Sequence, residues 1–256
     1  MEDNVLDYTI GVVGGMGTYA TIHLFEQYAK IFPAIKEHER PRIIIDNRCT
    51  MPSRVKAYLY NEDKEKLIEQ LTESVGIMKD AGCNKVLLAC NTSHIFLPQI
   101  YQKKPEFKGL IEDIVKGCVA DVYTDGIKAV HVLGSEGTLD SKIYQRTLLK
   151  RNIKCYSPEE SDYHKIRECM EAVKQNLDLE QAKDTFLDLI NRYDYCILGC
   201  TELPILYEKF KDQVKCKKVY DPIDVSLNNI KKEYEDTKRI CIGDIEHMHE
   251  IQVTSA

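Results

Sequence analysis

Gly11-Val12-Val13-Gly14-Gly15-Met16-Gly17-Thr18 reads as a buried strand that breaks into a glycine turn and opens a helix. A likeness of it returns in the second half of the chain as His131-Val132-Leu133-Gly134-Ser135-Glu136-Gly137-Thr138. A second pair follows in the same order. Val86-Leu87-Leu88-Ala89-Cys90-Asn91-Thr92 resembles Cys196-Ile197-Leu198-Gly199-Cys200-Thr201-Glu202. Either pair alone is a weak signal, but the ordered pair of pairs points to a duplicated unit.

Around these stretches the chain alternates short β-branched runs with amphipathic ones. Thr9–Val13, Arg42–Asp46, Lys85–Leu88, Ala129–Leu133, Tyr195–Leu198 and Lys218–Tyr220 read as buried parallel strands. Helices are expected over Thr18–Lys30, Glu62–Ala81, Ser141–Arg151, Ser161–Gln175 and Glu180–Arg192. That alternation predicts an α/β fold with parallel sheets. At 256 residues the chain fits two domains of roughly 100–150 residues each, with no low-complexity linker between them.

Composition narrows the function classes. A hydrophobic share of 43% with 30% charged residues is that of an ordinary globular chain. The net charge of -6 gives no reason to expect nucleic acid or an anionic membrane as partner. No apolar run approaches the roughly 20 residues of a membrane helix, and the polar, acidic Met1–Thr9 does not read as a secretory signal. A cytoplasmic location is the expectation. Most of the ten cysteines, among them Cys83, Cys118, Cys155, Cys169 and Cys196, sit in apolar or helical stretches and read as reduced, buried thiols. No C-x-x-C pair occurs, which removes the best sequence argument for zinc or a disulfide redox site.

The duplicated features carry a chemistry. A glycine turn between a buried strand and a helix presents backbone amides to an anion such as a carboxylate. Neither copy has dinucleotide or P-loop spacing. Cys90 and Cys200 each follow a hydrophobic strand, where α/β sheets face their ligand crevice. Each precedes a polar cluster that begins a helix, whose N-terminus favours the thiolate. For any single cysteine a buried structural thiol is the ordinary role; the repeated context singles these two out. Two thiols on opposite sides of a cleft suit racemisation, which removes a proton from one face of a carbon and returns one on the other. The developing negative charge needs preorganised donors, for which the glycine turns and the amides of Asn91, Thr92 and Thr201 are candidates.

With these motifs the sequence resembles the aspartate/glutamate racemase superfamily, and within it the aspartate racemases. The matching residues are Gly14-Gly15-Met16-Gly17 with Ala20-Thr21, then Cys90-Asn91-Thr92-Ser93-His94, Gly137-Thr138 and Gly199-Cys200-Thr201-Glu202, with a weaker tail match at Asp221-Pro222. The resemblance implies two similar flavodoxin-like domains related by a pseudo-twofold axis, with the active site in the cleft between them. It implies catalysis by Cys90 and Cys200 without pyridoxal phosphate, metal or other cofactor, and a homodimer acting on a small amino acid. The division it suggests is residues 1–112 with a returning 221–256, against 113–220. Arg54, after Pro52-Ser53, and Lys174, after Val173, match two cations that in the family face the substrate's side-chain carboxylate. The expected substrate-binding set is therefore Gly15, Met16, Gly17, Thr18, Arg54, Asn91, Thr92, Thr138, Lys174, Thr201 and Glu202. Thr18 stands where many members have proline. Glu136 stands where threonine is common, and a carboxylate there would repel an acidic substrate unless a cation pairs with it. Other readings are a maleate isomerase or broad-specificity racemase on the same scaffold, and a non-catalytic amino-acid-binding relative. An arylmalonate decarboxylase would need only one of the two cysteines.

Overall fold

The computed structural model describes residues 6–254, with side chains for residues 6–240. The reading of Met1–Thr9 and the outer ends of the suggested division (1–5 and 255–256) lie partly outside the described residues. The chain runs β1 (Thr9–Gly14), α1 (Thr18–Ile31), β2 (Arg42–Asn47), α2 (Arg54–Leu59), α3 (Lys64–Asp80), β3 (Lys85–Leu88), α4 (Leu97–Lys103) and β4 (Ile111–Glu112). It continues with α5 (Ile114–Thr124), β5 (Ala129–Gly134), α6 (Glu136–Asp140), α7 (Ile143–Leu149), β6 (Lys154–Tyr156), α8 (Tyr163–Lys174) and α9 (Glu180–Ile190). The last elements are β7 (Tyr195–Gly199), α10 (Leu203–Phe210), β8 (Lys218–Tyr220) and α11 (Pro222–Thr254).

The strands form two parallel four-stranded sheets, ordered β2-β1-β3-β4 and β6-β5-β7-β8. The second order repeats the first, element for element, as the duplicated motifs predict. All six expected strands are present. The two that sequence reading misses, β4 and β6, are edge strands of two and three residues, too short to show a period.

Alternate residues of each central strand enter different cores. Ile10 and Val12 of β1 and Val130 and Val132 of β5 share one large cluster, which α1, α5, α7 and α11 also enter. Val13, Val86 and Leu88 turn the other way onto α3 and α4. Leu133, Cys196 and Leu198 turn onto α8 and α9. The runs are apolar on both faces because both faces are covered. The nine cysteines within residues 6–240 are all unpaired; Cys83, Cys118, Cys169 and Cys196 are buried, and Cys155, expected to be buried, is half-buried. Helix α11 places Ile223, Leu227, Ile230 and Tyr234 in the shared cluster. Tyr234 donates to the Glu39 carbonyl and Tyr8 to the Glu233 carboxylate. Among the described residues no helix is long and apolar enough to cross a membrane.

Candidate active site

The central strands β1 and β3 end side by side, Val13 in register with Leu88, as do β5 and β7, with Gly134 opposite Gly199. Cys90 and Cys200 leave these carboxyl ends, at equivalent places in the two sheets. The two loops touch. Thr201 Oγ1 donates to the carbonyl of Ala89 at 3.4 Å, so the neighbour of one cysteine is bonded to the neighbour of the other. Cys90 is buried and Cys200 half-buried.

The surroundings of Cys200 correct one expectation. Its thiol donates to Glu202 Oε2 at 2.8 Å. Desolvation, then the Glu202 carboxylate, hold the thiol well above its ordinary range, while Lys174 pulls the other way. The turn after Cys200 therefore does not leave a ready thiolate: a full negative charge at hydrogen-bond distance outweighs the partial charge of a helix terminus. Nor does an α-helix begin directly after Cys90. Thr92–Phe96 forms a 3-10 turn and α4 starts only at Leu97, with Pro98 in its first turn.

Glu202 is 2% exposed, and its second oxygen, Oε1, has no hydrogen-bond partner. That oxygen reaches the first glycine turn, 2.5 Å from where a Cβ on Gly17 would stand. A side chain at 17 would have to displace the Glu202 carboxylate, since the Gly17 φ of -172° itself suits any residue. Gly15, at φ +75°, is required by conformation as well, because it lies against the backbone of Arg48 and Cys49. Lys174 is one-third exposed and pairs with Glu171 at 3.1 Å. Desolvation works against its charge, but Glu202, Cys200 and Glu171 outweigh it and raise its pKa. The lysine is electrostatically part of the Cys200 site.

The two glycine turns differ. Gly17, the N-cap of α1, offers no side-chain cap, so the first-turn amides of that helix are left to other acceptors. Ser135 caps α6 by accepting from Thr138 N at 3.3 Å. Thr92, Ser135 and Thr138 then close a buried triangle of hydroxyls with sides of 3.0, 3.0 and 3.1 Å. Thr92 and Thr138, expected at the substrate, are engaged with each other across the two loops. Asn91 accepts from Tyr144 OH at 2.5 Å, while its Nδ2 is buried and unpartnered.

Arg54 Nη2 donates to the Met16 carbonyl at 2.6 Å, which ties α2 to the first glycine turn. Thr18 is exposed and shares a polar cluster with Asn47 and Cys49; its Oγ1 lies 3.3 Å from Cys49 Sγ. Glu136 is ion-paired with Arg167 of α8, which answers the repulsion anticipated from its sequence position. Beside this pair a cavity of about 360 Å³ opens between α2 and α8, lined by Ser53, Val55, Gly134, Ser135, Met170 and Lys174 among others. Tyr144, Ser135, Arg167 and Cys49 escaped sequence reading, since each acts on a partner remote in the chain. Among the described residues no group of His, Cys, Asp and Glu could hold a metal ion.

A family model described as Asp/Glu/hydantoin racemase matches residues 13–230. The chain is similar to the broad specificity amino-acid racemase RacX of Bacillus subtilis, 23% identical over 214 residues that cover 80% of this chain and 90% of that one. It is 28% identical to the glutamate racemase of Lactobacillus acidophilus over 63% of this chain, a match spanning 61% of that protein's length. The structure is similar to Picrophilus torridus aspartate racemase, with a TM-score of 0.73 over 84% of this chain and 89% of that one. At 24% identity that likeness is one of fold.

Proposed function

The chain belongs to the Asp/Glu/hydantoin racemase family, and on that footing we propose that it racemises an acidic amino acid, aspartate first and glutamate next, without pyridoxal phosphate. Cys90 and Cys200 exchange the α-proton. The observation that carries this reading is the bond from Thr201 to Ala89, which brings together the strand ends bearing the two cysteines.

In this scheme one sulfur acts as thiolate and takes the α-proton. Its S–H bond forms as the Cα–H bond breaks, and the electron pair spreads into the substrate carboxylate. The other sulfur gives its proton to the opposite face, its S–H bond breaking as the new Cα–H bond forms. The two sulfurs end with their roles exchanged, ready for the reverse reaction. Cys200, hydrogen-bonded to Glu202 and held above its ordinary pKa, starts as the acid, so Cys90 starts as the base. When Cys200 gives up its proton, Lys174 stabilises the thiolate left behind. The substrate carboxylate is received by the uncapped first turn of α1. Lys174, with Arg54 once it leaves Met16, takes the side-chain carboxylate. A homodimer in the cytoplasm belongs to the same reading and rests on the family resemblance.

A broader substrate range is the second reading. It is favoured by the cavity beside Glu136 and Arg167, whose walls include Val55, Leu59, Ile166 and Met170 and offer room for an apolar side chain.

Incubation with L-aspartate, L-glutamate and neutral amino acids in D₂O, without pyridoxal phosphate, tests both. Deuterium at Cα together with the D-enantiomer is expected for the acidic substrates, and its loss in Cys90→Ala and in Cys200→Ala. Exchange of neutral substrates at equal rate favours the broader reading. No exchange on any amino acid would sink the racemase assignment, and a single mutant at full activity would sink the two-base scheme.

A further inference from the structure

A second cavity lies beside the residues that follow Cys90, between α4, the β4–α5 connection and α7, with a volume of about 650 Å³. That is within the usual range for small-molecule sites, roughly 300–1,000 Å³. Four cations line it, Lys108, Lys116, Arg146 and Lys150, against one acid, Asp113. Lys116 is neutralised by Asp113, 2.7 Å away. Lys108, Arg146 and Lys150 make no ion pair and no side-chain hydrogen bond among the described residues. Arg146 stands in the last turn of α7 and Lys150 just after it, where the terminal carbonyls offer a partial negative charge, and Lys108 closes the short 105–108 turn.

An excess of positive charge in one concavity is conspicuous in a chain of net charge -6. Arg146 and Lys150 are also spaced i, i+4, an arrangement in which like charges repel on a helix face. Between the cations the walls are apolar: Leu97, Pro98, Tyr101, Val115, Ile143 and Leu149. Leu149 is 71% exposed and so available for contact. His94 forms part of the same lining. It is 3% exposed, its Nδ1 lies 3.0 Å from the carbonyl oxygen of Cys90, and the Glu112 carbonyl also stands beside the ring. Whatever seats in this groove rests one imidazole away from the backbone of a candidate catalytic cysteine.

We propose that this groove is a second ligand site, for a small polyanion that carries an apolar ring or chain, and that its occupancy is felt at Cys90 through His94. The unpaired cations recognise the anionic end, which must be multiply charged to satisfy three of them. The leucine, isoleucine and tyrosine walls recognise the apolar body.

Binding can be measured without reference to racemisation, so this proposal and the functional one fail separately. The full chain is titrated calorimetrically with ATP, a polyanion bearing a ring, and with inorganic triphosphate, the same charge without one. ATP should bind at least tenfold tighter than triphosphate. The double variant Arg146→Glu with Lys150→Glu, and independently Lys108→Glu, should each weaken ATP at least tenfold. All these residues are exposed, and thermal melting checks that the variants remain folded. The variants should keep the unliganded α-proton exchange rate, whereas ATP should change that rate in the wild type alone. No binding of either probe, or equal ATP affinity in wild type and variants, would overturn the site. Equal affinity for the two probes would overturn the apolar recognition, and an unchanged exchange rate on saturation would overturn the link through His94.

Discussion

Cys200 and Glu202 are two residues apart, yet their chemistry depends on a third, Lys174, brought in from α8. The carboxylate raises the thiol's pKa because a thiolate beside it would be a second negative charge in a desolvated place; the ammonium opposes this. Replacing Glu202 by Gln removes the charge and keeps the shape. The pKa of Cys200 then falls, and at pH 8 a larger fraction is thiolate, the form that alkylates. Carboxymethylation of Cys200, followed by peptide mass, should be several-fold faster in Glu202→Gln and slower in Lys174→Ala. Equal rates in all three proteins would remove Glu202 from control of that thiol. The glutamate's presence at position 202 was legible in the sequence. Its direction was not, because only the fold turns it back onto the sulfur and against Gly17.

At the scale of elements, the two glycine turns look alike in sequence and have diverged in use. The α1 turn has no side-chain cap at Gly17, which leaves the first helix amides open to an anion, while its Gly15 amide donates to Thr21 Oγ1 at 3.1 Å. The α6 turn consumes its own with Ser135 and locks the hydroxyl to Thr92 and Thr138. Ser135→Ala removes an N-cap, which costs about 0.5–2 kcal/mol, and leaves the two threonine hydroxyls with one partner fewer. Urea unfolding should place the variant at the upper part of that range, with an unchanged m-value. A loss under about 0.5 kcal/mol, below that capping range, would mean that the triangle is not holding the two loops together. The long periodic helices and the six buried strands were readable because their apolar residues recur with a period. Elements such as α6, β4 and β6, at five, two and three residues, have no room to show one.

Across the whole molecule, the shared cluster joins β1, β5, α1, α5, α7 and α11, and at its edge the chain passes from β8 into α11 through Asp221. Asp221 Oδ1 accepts from Ile223 N at 2.9 Å, but desolvation and the nearby Asp224 carboxylate raise its pKa well above the carboxylate range. The folded protein therefore holds a proton that the unfolded chain gives up near pH 4. Between that pH and the folded-state value the native state binds more protons, so this group's contribution to stability falls as pH rises. Asp221→Asn keeps a good capping side chain and removes the titration. Its unfolding free energy should decline less than that of the wild type from pH 5 to pH 8, read by urea denaturation. Parallel curves for the two proteins would exclude Asp221 as the source.

The sequence by itself determined the duplicated α/β plan and the two cysteines that stand at equivalent strand ends, because strand periodicity, glycine turns and repeated order are local features. Tertiary structure alone decided the state of those cysteines and the fate of their neighbours. It hydrogen-bonded the protonated Cys200 thiol to Glu202, paired Glu136 with Arg167, withdrew Thr92 and Thr138 into a hydroxyl triangle, and gathered unpaired cations into a groove behind His94. Charge and hydrogen bonding act through space over a few ångströms, and those distances come into being only when segments far apart in the chain are packed together.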